Sequence, residues 1–181
     1  MSFNLEITSS NVFTDVKILT PEVFEESRGN IWTSFTHKEV DSLLPKGLSF
    51  KHDKFSWSRK NVLRGIHGDP NTWKLVTCVY GEIYMVVVDM RENSSTFSNY
   101  QHFIINSKNP RSILIPPSMG NGYCVISPAA VYHYKLAYKG DYTDADRQFT
   151  VAWNDPKLGI NWPVDNPILS MRDQEKENAK N

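Results

Sequence analysis

Cysteine is scarce in this chain: there are two, Cys78 and Cys124, with no CxxC spacing, and each lies inside an apolar run. That argues against a disulfide framework or a thiolate metal site and points to buried core thiols. An excess of one charge is missing too. Twenty basic residues balance twenty acidic ones, so no nucleic-acid or acidic-membrane surface is expected and any anion has to be bound locally. No apolar run approaches the length of a membrane span, and the opening MSFNLEITSSNVF has no basic flank before an apolar core. Insertion and export are therefore not expected, and the cytosol is the expected location. The five histidines form no HxH or HExxH pattern and no cluster with cysteine, so no metal is expected. Helix signals are thin: His37 to Gly47, ahead of which nothing reads as helical, has room for one short helical turn before Pro45.

What is present is β pattern. At 181 residues, 40% apolar and 12% aromatic, the chain suits one core, read as a single domain over 1–173 and a polar, frayed tail over 174–181, QEKENAKN. Extended runs are expected at Asn11–Leu19, Ile31–Phe35, Leu48–Ser58, Asn99–Ile105, Ser112–Ile115, Tyr123–Ile126, Ala130–Leu136 and Gln148–Trp153, with turn residues between them. Val62–Arg91 adds a short strand, a loop, and two β-branched strands reversing at Tyr80-Gly81-Glu82. About ten short strands spaced in this way predict an all-β sandwich or small barrel. Along Leu48–Ser58 the alternate residues His52, Lys54, Ser56 and Ser58 share one polar face, which lines a cavity only if the sheet curls around one.

The chemistry gathers around His67. Histidine is the side chain that titrates closest to neutral pH, which makes it the simplest general base to build, and Arg64 and Lys74 supply fixed cations on either side of it. A phosphorylated or nucleotide-bearing substrate beside a base is the suggestion. A strict period of two would put Arg64 and His67 on opposite strand faces, so a shared site requires a bulge near Gly65. Taken alone, His67 reads equally well as a hydrogen-bonded strand-end histidine. Arg28 precedes Gly29, where backbone can approach a ligand, although a solvated turn arginine is the plainer reading. Tyr132 and Tyr134 point the same way from one strand; such ladders are more often packing than catalysis. Asp173 could orient a histidine through its second ring nitrogen.

These residues resemble the RmlC family, the nucleotide-4-keto-sugar 3,5-epimerases exemplified by dTDP-4-dehydrorhamnose 3,5-epimerase. The likeness runs through Arg28-Gly29, VLRGIH ending at His67, KLVTCVYGEIYMVVVDMR from Lys74, SSTF from Ser94, IPP from Ile115, Tyr134-Lys135, WNDPKLGINWP from Trp153 and LSMRD ending at Asp173. It implies a cupin-type jelly roll without the usual cupin metal and without a cofactor, paired into a homodimer in which a terminal strand crosses to the neighbour. Carried onto this chain, the family's base is His67, its supporting carboxylate Asp173 and its opposing acid Tyr134. The phosphate and sugar contacts fall on Arg28, Arg64 and Lys74, with Lys74 near the 4-oxo group.

The departures bear on the substrate. Where the family commonly shows Gln-Asp-Asn, this chain has His52-Asp53-Lys54; where it shows His-Tyr-Gln, this chain has His67-Gly68-Asp69; and Ala-His-Gly is Gly120-Asn121-Gly122, which places Asn121 among the substrate contacts. Together they resemble the branch acting on GDP-linked 4-keto-heptoses in capsule heptose biosynthesis, with GDP-4-keto-D-lyxo-heptose as the expected substrate. A C3-only epimerase, a dTDP-4-keto-6-deoxyglucose 3,5-epimerase, a metal-dependent cupin oxygenase and a non-catalytic sugar-nucleotide binding protein are the alternatives.

Overall fold

In a computed structural model, which describes residues 4–178, the alternating runs become strands. In chain order they are β1 (Leu5–Ser9), β2 (Lys17–Pro21), β3 (Val23–Glu26), β4 (Gly29–Trp32), β5 (His52–Arg59), β6 (Leu63–Gly68), β7 (Trp73–Tyr80) and β8 (Glu82–Asp89). Then follow β9 (Tyr100–Asn106), β10 (Ser112–Ile115), β11 (Met119–Val125), β12 (Ala129–Ala137) and β13 (Phe149–Thr150). Helix is confined, among the described residues, to α1 (His37–Val40) with a 3-10 turn after it, a second 3-10 turn at Ala145–Arg147, and α2 (Met171–Asn178). The all-β expectation holds, and the short helical turn before Pro45 lies within the segment named for it. Among the described residues, no helix is long and apolar enough to cross a membrane.

Two antiparallel sheets face each other, one of six strands in the order β1-β2-β10-β7-β12-β5 and one of five in the order β13-β6-β11-β8-β9. The main core fills the space between them, with Val76, Ile113, Ile115 and Tyr132 meeting Ile83, Met85, Val87, Phe103 and Tyr123. Each large side chain buried this way contributes roughly 1.5–3 kcal/mol. The run IYMVVV in β8 is buried on both faces. Its other parity, Tyr84, Val86 and Val88, packs under Leu158 and Trp162 of the segment that follows β13, which is why this strand does not alternate. A third cluster seats α1 on the outside of the six-stranded sheet through Val40, Leu44, Leu75 and Leu114. Both cysteines are free and buried, and burial pushes each thiol up to about 11.

Three expectations change. Asn11–Leu19 is not one strand: the Ser10 hydroxyl accepts the N–H groups of Val12 and Phe13 at 3.2 and 3.0 Å, closing a turn that tucks Phe13 and Val16 into the core. Pairing resumes at Lys17. Met119 to Gly122, read as turn, belongs to β11, where glycine permits close approach to β6 rather than chain reversal. The polar end is helical through Asn178 rather than frayed from Gln174, because the hydroxyl of Ser170 accepts the Asp173 N–H at 3.3 Å as an N-cap does; residues 179–181 lie outside the described residues.

Candidate active site

A cavity of about 290 Å³ opens between the two sheets. Lys54, Ser56, Lys74, Tyr132 and Tyr134 enter it from β5, β7 and β12 of the six-stranded sheet, and Arg64, His67, Asn121 and Tyr123 from β6 and β11 of the five-stranded one. The segment between β12 and β13 runs from one sheet to the other and adds Tyr142, Ala145 and Gln148. The polar face of β5 therefore lines a cavity, while its other face, Phe55 and Trp57, is exposed.

Arg64 and His67 share this cavity through a bulge. Asn121 pairs with His67 and Tyr123 with Arg64, so three steps along β6 match two along β11. The extra residue restores the parity that a flat strand would lose. Gly65 sits in that step with φ +119°, and a Cβ there would stand 2.5 Å from Gly122 Cα. Only glycine meets both conditions.

His67 Nε2 lies 2.7 Å from Asp173 Oδ1. Asp173 is buried, and its second oxygen accepts the Ser170 hydroxyl at 2.8 Å. With both carboxylate oxygens engaged, the ring is fixed with its Nε2–H toward Asp173, leaving the lone pair on Nδ1. The partners are 106 residues apart in sequence. What joins them is backbone pairing of the C-terminal segment with β6: Ile168 N–H donates to Asn61 O at 2.8 Å and Leu63 N–H to Ile168 O at 3.1 Å.

Lys74 is a partly buried cation in the cavity wall. Its ammonium donates to Asn121 Oδ1 at 2.8 Å and to His67 O at 3.1 Å, which leaves one of its three N–H groups over. Burial brings its pKa down to about 8, with Asp69 opposing and Arg172 adding to the fall. Because lysine only donates, the Asn121 amide has its oxygen toward Lys74 and its nitrogen toward the Tyr132 hydroxyl, 3.1 Å away. Burial raises the phenol of Tyr134, with nearby Lys54 partly offsetting it, so Tyr134 keeps its proton at neutral pH. Lys54 itself donates to the Tyr142 hydroxyl at 3.2 Å, and the His52 ring meets Tyr142 edge-on with centroids 4.7 Å apart.

The family model for dTDP-4-dehydrorhamnose 3,5-epimerase matches residues 11–181. The chain belongs to this family. It is similar to the dTDP-4-dehydrorhamnose 3,5-epimerase of Shigella flexneri, 35% identical over 162 residues and covering 88% of each chain. A dTDP-4-dehydrorhamnose 3-epimerase of Streptomyces niveus is 32% identical, over 87% of this chain and 76% of that one. Among solved structures, the dTDP-6-deoxy-D-glucose-3,5-epimerase of Legionella pneumophila in complex with dTDP-4-keto-L-rhamnose superposes with a TM-score of 0.86 at 32% identity, covering 95% of this chain and 91% of that one. The protein is an isomerase of sugar nucleotides. Its named relatives act on thymidine-linked sugars; the resemblance to a GDP-heptose branch stands on the residues alone.

In this epimerase, His67, Asp173, Tyr134, Arg64, Lys74 and Asn121 all come together at the one cavity. Arg28 does not: it sits at the tip of the β3–β4 hairpin, paired with Glu26 and 83% exposed, away from the cavity of its own chain. Arg172, Tyr142, Gln148 and Ser170 are cavity residues that sequence reading did not single out. Arg172 donates to Thr150 Oγ1 at 2.7 Å and to Gln148 O at 3.1 Å, so it also ties α2 to β13. Its place next to Asp173 in LSMRD was the available signal. Among the described residues no cluster of histidine, cysteine, aspartate or glutamate is placed to hold a metal ion.

Proposed function

We propose that this epimerase inverts C3 and C5 of a nucleotide-linked 4-keto sugar, with His67 as base, Tyr134 as acid and a GDP-linked 4-keto-heptose as substrate. The observation that carries the reading is that His67 and Tyr134 enter one cavity from opposite sheets. A 4-keto group acidifies the hydrogens on its neighbouring carbons. His67 Nδ1 takes one from one face, and Asp173 stabilises the imidazolium that results. Charge moves to the ketone oxygen, where the remaining Lys74 N–H meets it; a well-placed donor of this kind is typically worth roughly 2.7–4 kcal/mol. Tyr134 returns a proton to the other face, and the carbon is inverted. Arg64, held at Nε by Ser58 Oγ at 3.1 Å, keeps its outer nitrogens for the diphosphate. No cofactor takes part, because the ketone itself stores the charge.

The guanine preference is supported by Lys54, which stands where the family commonly has asparagine. Lysine offers donors only, and guanine presents the paired acceptors O6 and N7. A thymidine-linked substrate is the second reading, supported by the names of the relatives. C3-only inversion is a further variant, supported by the Streptomyces niveus 3-epimerase.

A homodimer belongs to the same proposal. Phe55, Trp57 and Tyr80 are 64, 65 and 60% exposed on the outside of the six-stranded sheet, and adjoining exposed aromatics of this kind suit a protein–protein contact. The terminal strand β1, expected to cross, pairs with β2 of its own chain, whereas the β3–β4 hairpin pairs only with itself among the described residues. Crossing to a neighbour would carry Arg28 toward a second cavity.

Proton NMR in D₂O tests the reaction. Wild-type protein exchanges deuterium into C3 and C5 of GDP-4-keto-heptose, and His67→Asn, still folded, exchanges neither. Retained exchange in the variant sinks the base assignment. Exchange at C3 alone makes the enzyme a mono-epimerase, and exchange only with thymidine-linked sugar replaces the nucleotide.

A further inference from the structure

One buried carboxylate beside the cavity has no part in the chemistry above. Asp69 follows His67 by two residues, is 1% exposed, and begins the turn that joins β6 to β7. Its Oδ1 accepts the backbone N–H groups of Asn71 and Thr72 at 2.9 and 2.8 Å, which fixes the turn. Its Oδ2 has no hydrogen-bond partner, and neither has the hydroxyl of Thr72, a cavity residue. A buried carboxylate oxygen without donors is costly and normally acquires a cation.

Lys74 lies just beyond the same turn, as the second residue of β7. Its partial burial in the cavity wall disfavours the charge, and Arg172 disfavours it further. The other charged or titratable groups around the cavity offer little relief. Arg64 and Lys54 are cations, His67 and Asp173 are bonded to each other, and burial keeps Tyr132 and Tyr134 neutral. Asp69 is the carboxylate whose field favours the ammonium.

We propose that Asp69 is a positioning residue: its unpaired oxygen, held back by the turn, keeps Lys74 charged and leaves the third ammonium N–H to the oxygen of the substrate ketone. A direct ion pair would draw the ammonium toward the turn and away from Asn121. Because Asn71 and Thr72 hold the carboxylate, its charge acts through a low-dielectric interior without competing for the lysine's donors. The catalytic consequence, though not the link between the two side chains, rests on the epimerase reaction proposed above.

Asp69→Asn is the test, since the amide oxygen still accepts both turn N–H groups and only the charge is lost. Lys74 is titrated directly by ¹³C NMR of protein labelled at lysine Cε, its signal assigned by its absence in Lys74→Met, and deuterium exchange is measured across the same pH range. The Lys74 midpoint and the alkaline limb of kcat/KM both move down by about one pH unit. Activity then falls about fivefold at pH 8 and little at pH 6.5, as a shift of about one unit dictates. A Lys74 midpoint that stays put in folded Asp69→Asn overturns the proposal, as does a loss of activity equal at every pH. Should Asp69→Asn fail to fold, Asp69→Ser, whose hydroxyl still accepts a turn N–H, is read by the same two measurements. Wild-type protein that exchanges nothing would overturn the epimerase reading and leave the titration result intact.

Discussion

Tyr134 and His67 reach the cavity from different sheets, so the two halves of an inversion are separable by substitution. Tyr134→Phe removes the proton donor and leaves the base and the enolate's donor in place. Exchange of solvent deuterium into the substrate therefore continues while inverted product falls by roughly 10²–10⁴-fold, both read in one NMR time course. Loss of exchange together with product would remove the phenol from its proposed place. Lys74 sets the alkaline limit. Burial takes it to about 8 in the folded protein, so kcat/KM declines as pH rises through about 8, where the amine keeps two N–H groups and no charge. A profile flat to pH 9.5 would mean that Lys74 does not meet the developing oxyanion.

At the scale of elements, the bulge in β6 decides whether Arg64 and His67 work together. Gly65→Ala places a methyl 2.5 Å from Gly122 Cα at a positive φ, a strain of roughly 1–3 kcal/mol. A urea midpoint lowered to match is expected, with activity falling further than stability because Arg64 turns from the cavity. The need for this bulge was legible in the sequence, from the conflict between a period of two and a shared site. So were the alternation in β5, the reversal at Gly81, and the gathering of Arg64, His67 and Lys74 around a single loop. The contact between His67 and Asp173 was legible only through family resemblance, because 106 residues separate them and the pairing of Ile168 with β6 leaves no periodic trace. The Ser10 turn and the helical end escaped for a local reason. In both, a single serine hydroxyl decides the backbone, and hydrophobic patterning does not register it.

For the whole molecule, the exposed aromatic face and the unpaired hairpin make assembly the open quantity. Sedimentation equilibrium is expected to give twice the 20.8 kDa of one chain, and Trp57→Glu to return the mass to that of a monomer. A wild-type monomer would remove the dimer from the proposal. Within one subunit, both sheets are built largely from strands distant in sequence, such as β2 beside β10 and β6 beside β11, and the proposed catalytic pair is closed later still by Asp173, brought back across β6 at Ile168. A nascent chain leaving the ribosome has both sheets in hand while its histidine still lacks a carboxylate. On the proposed mechanism, competence to remove a proton then waits for the segment after β13 to dock on β6, so a chain with both sheets formed and that segment undocked would have the cavity walls without the chemistry.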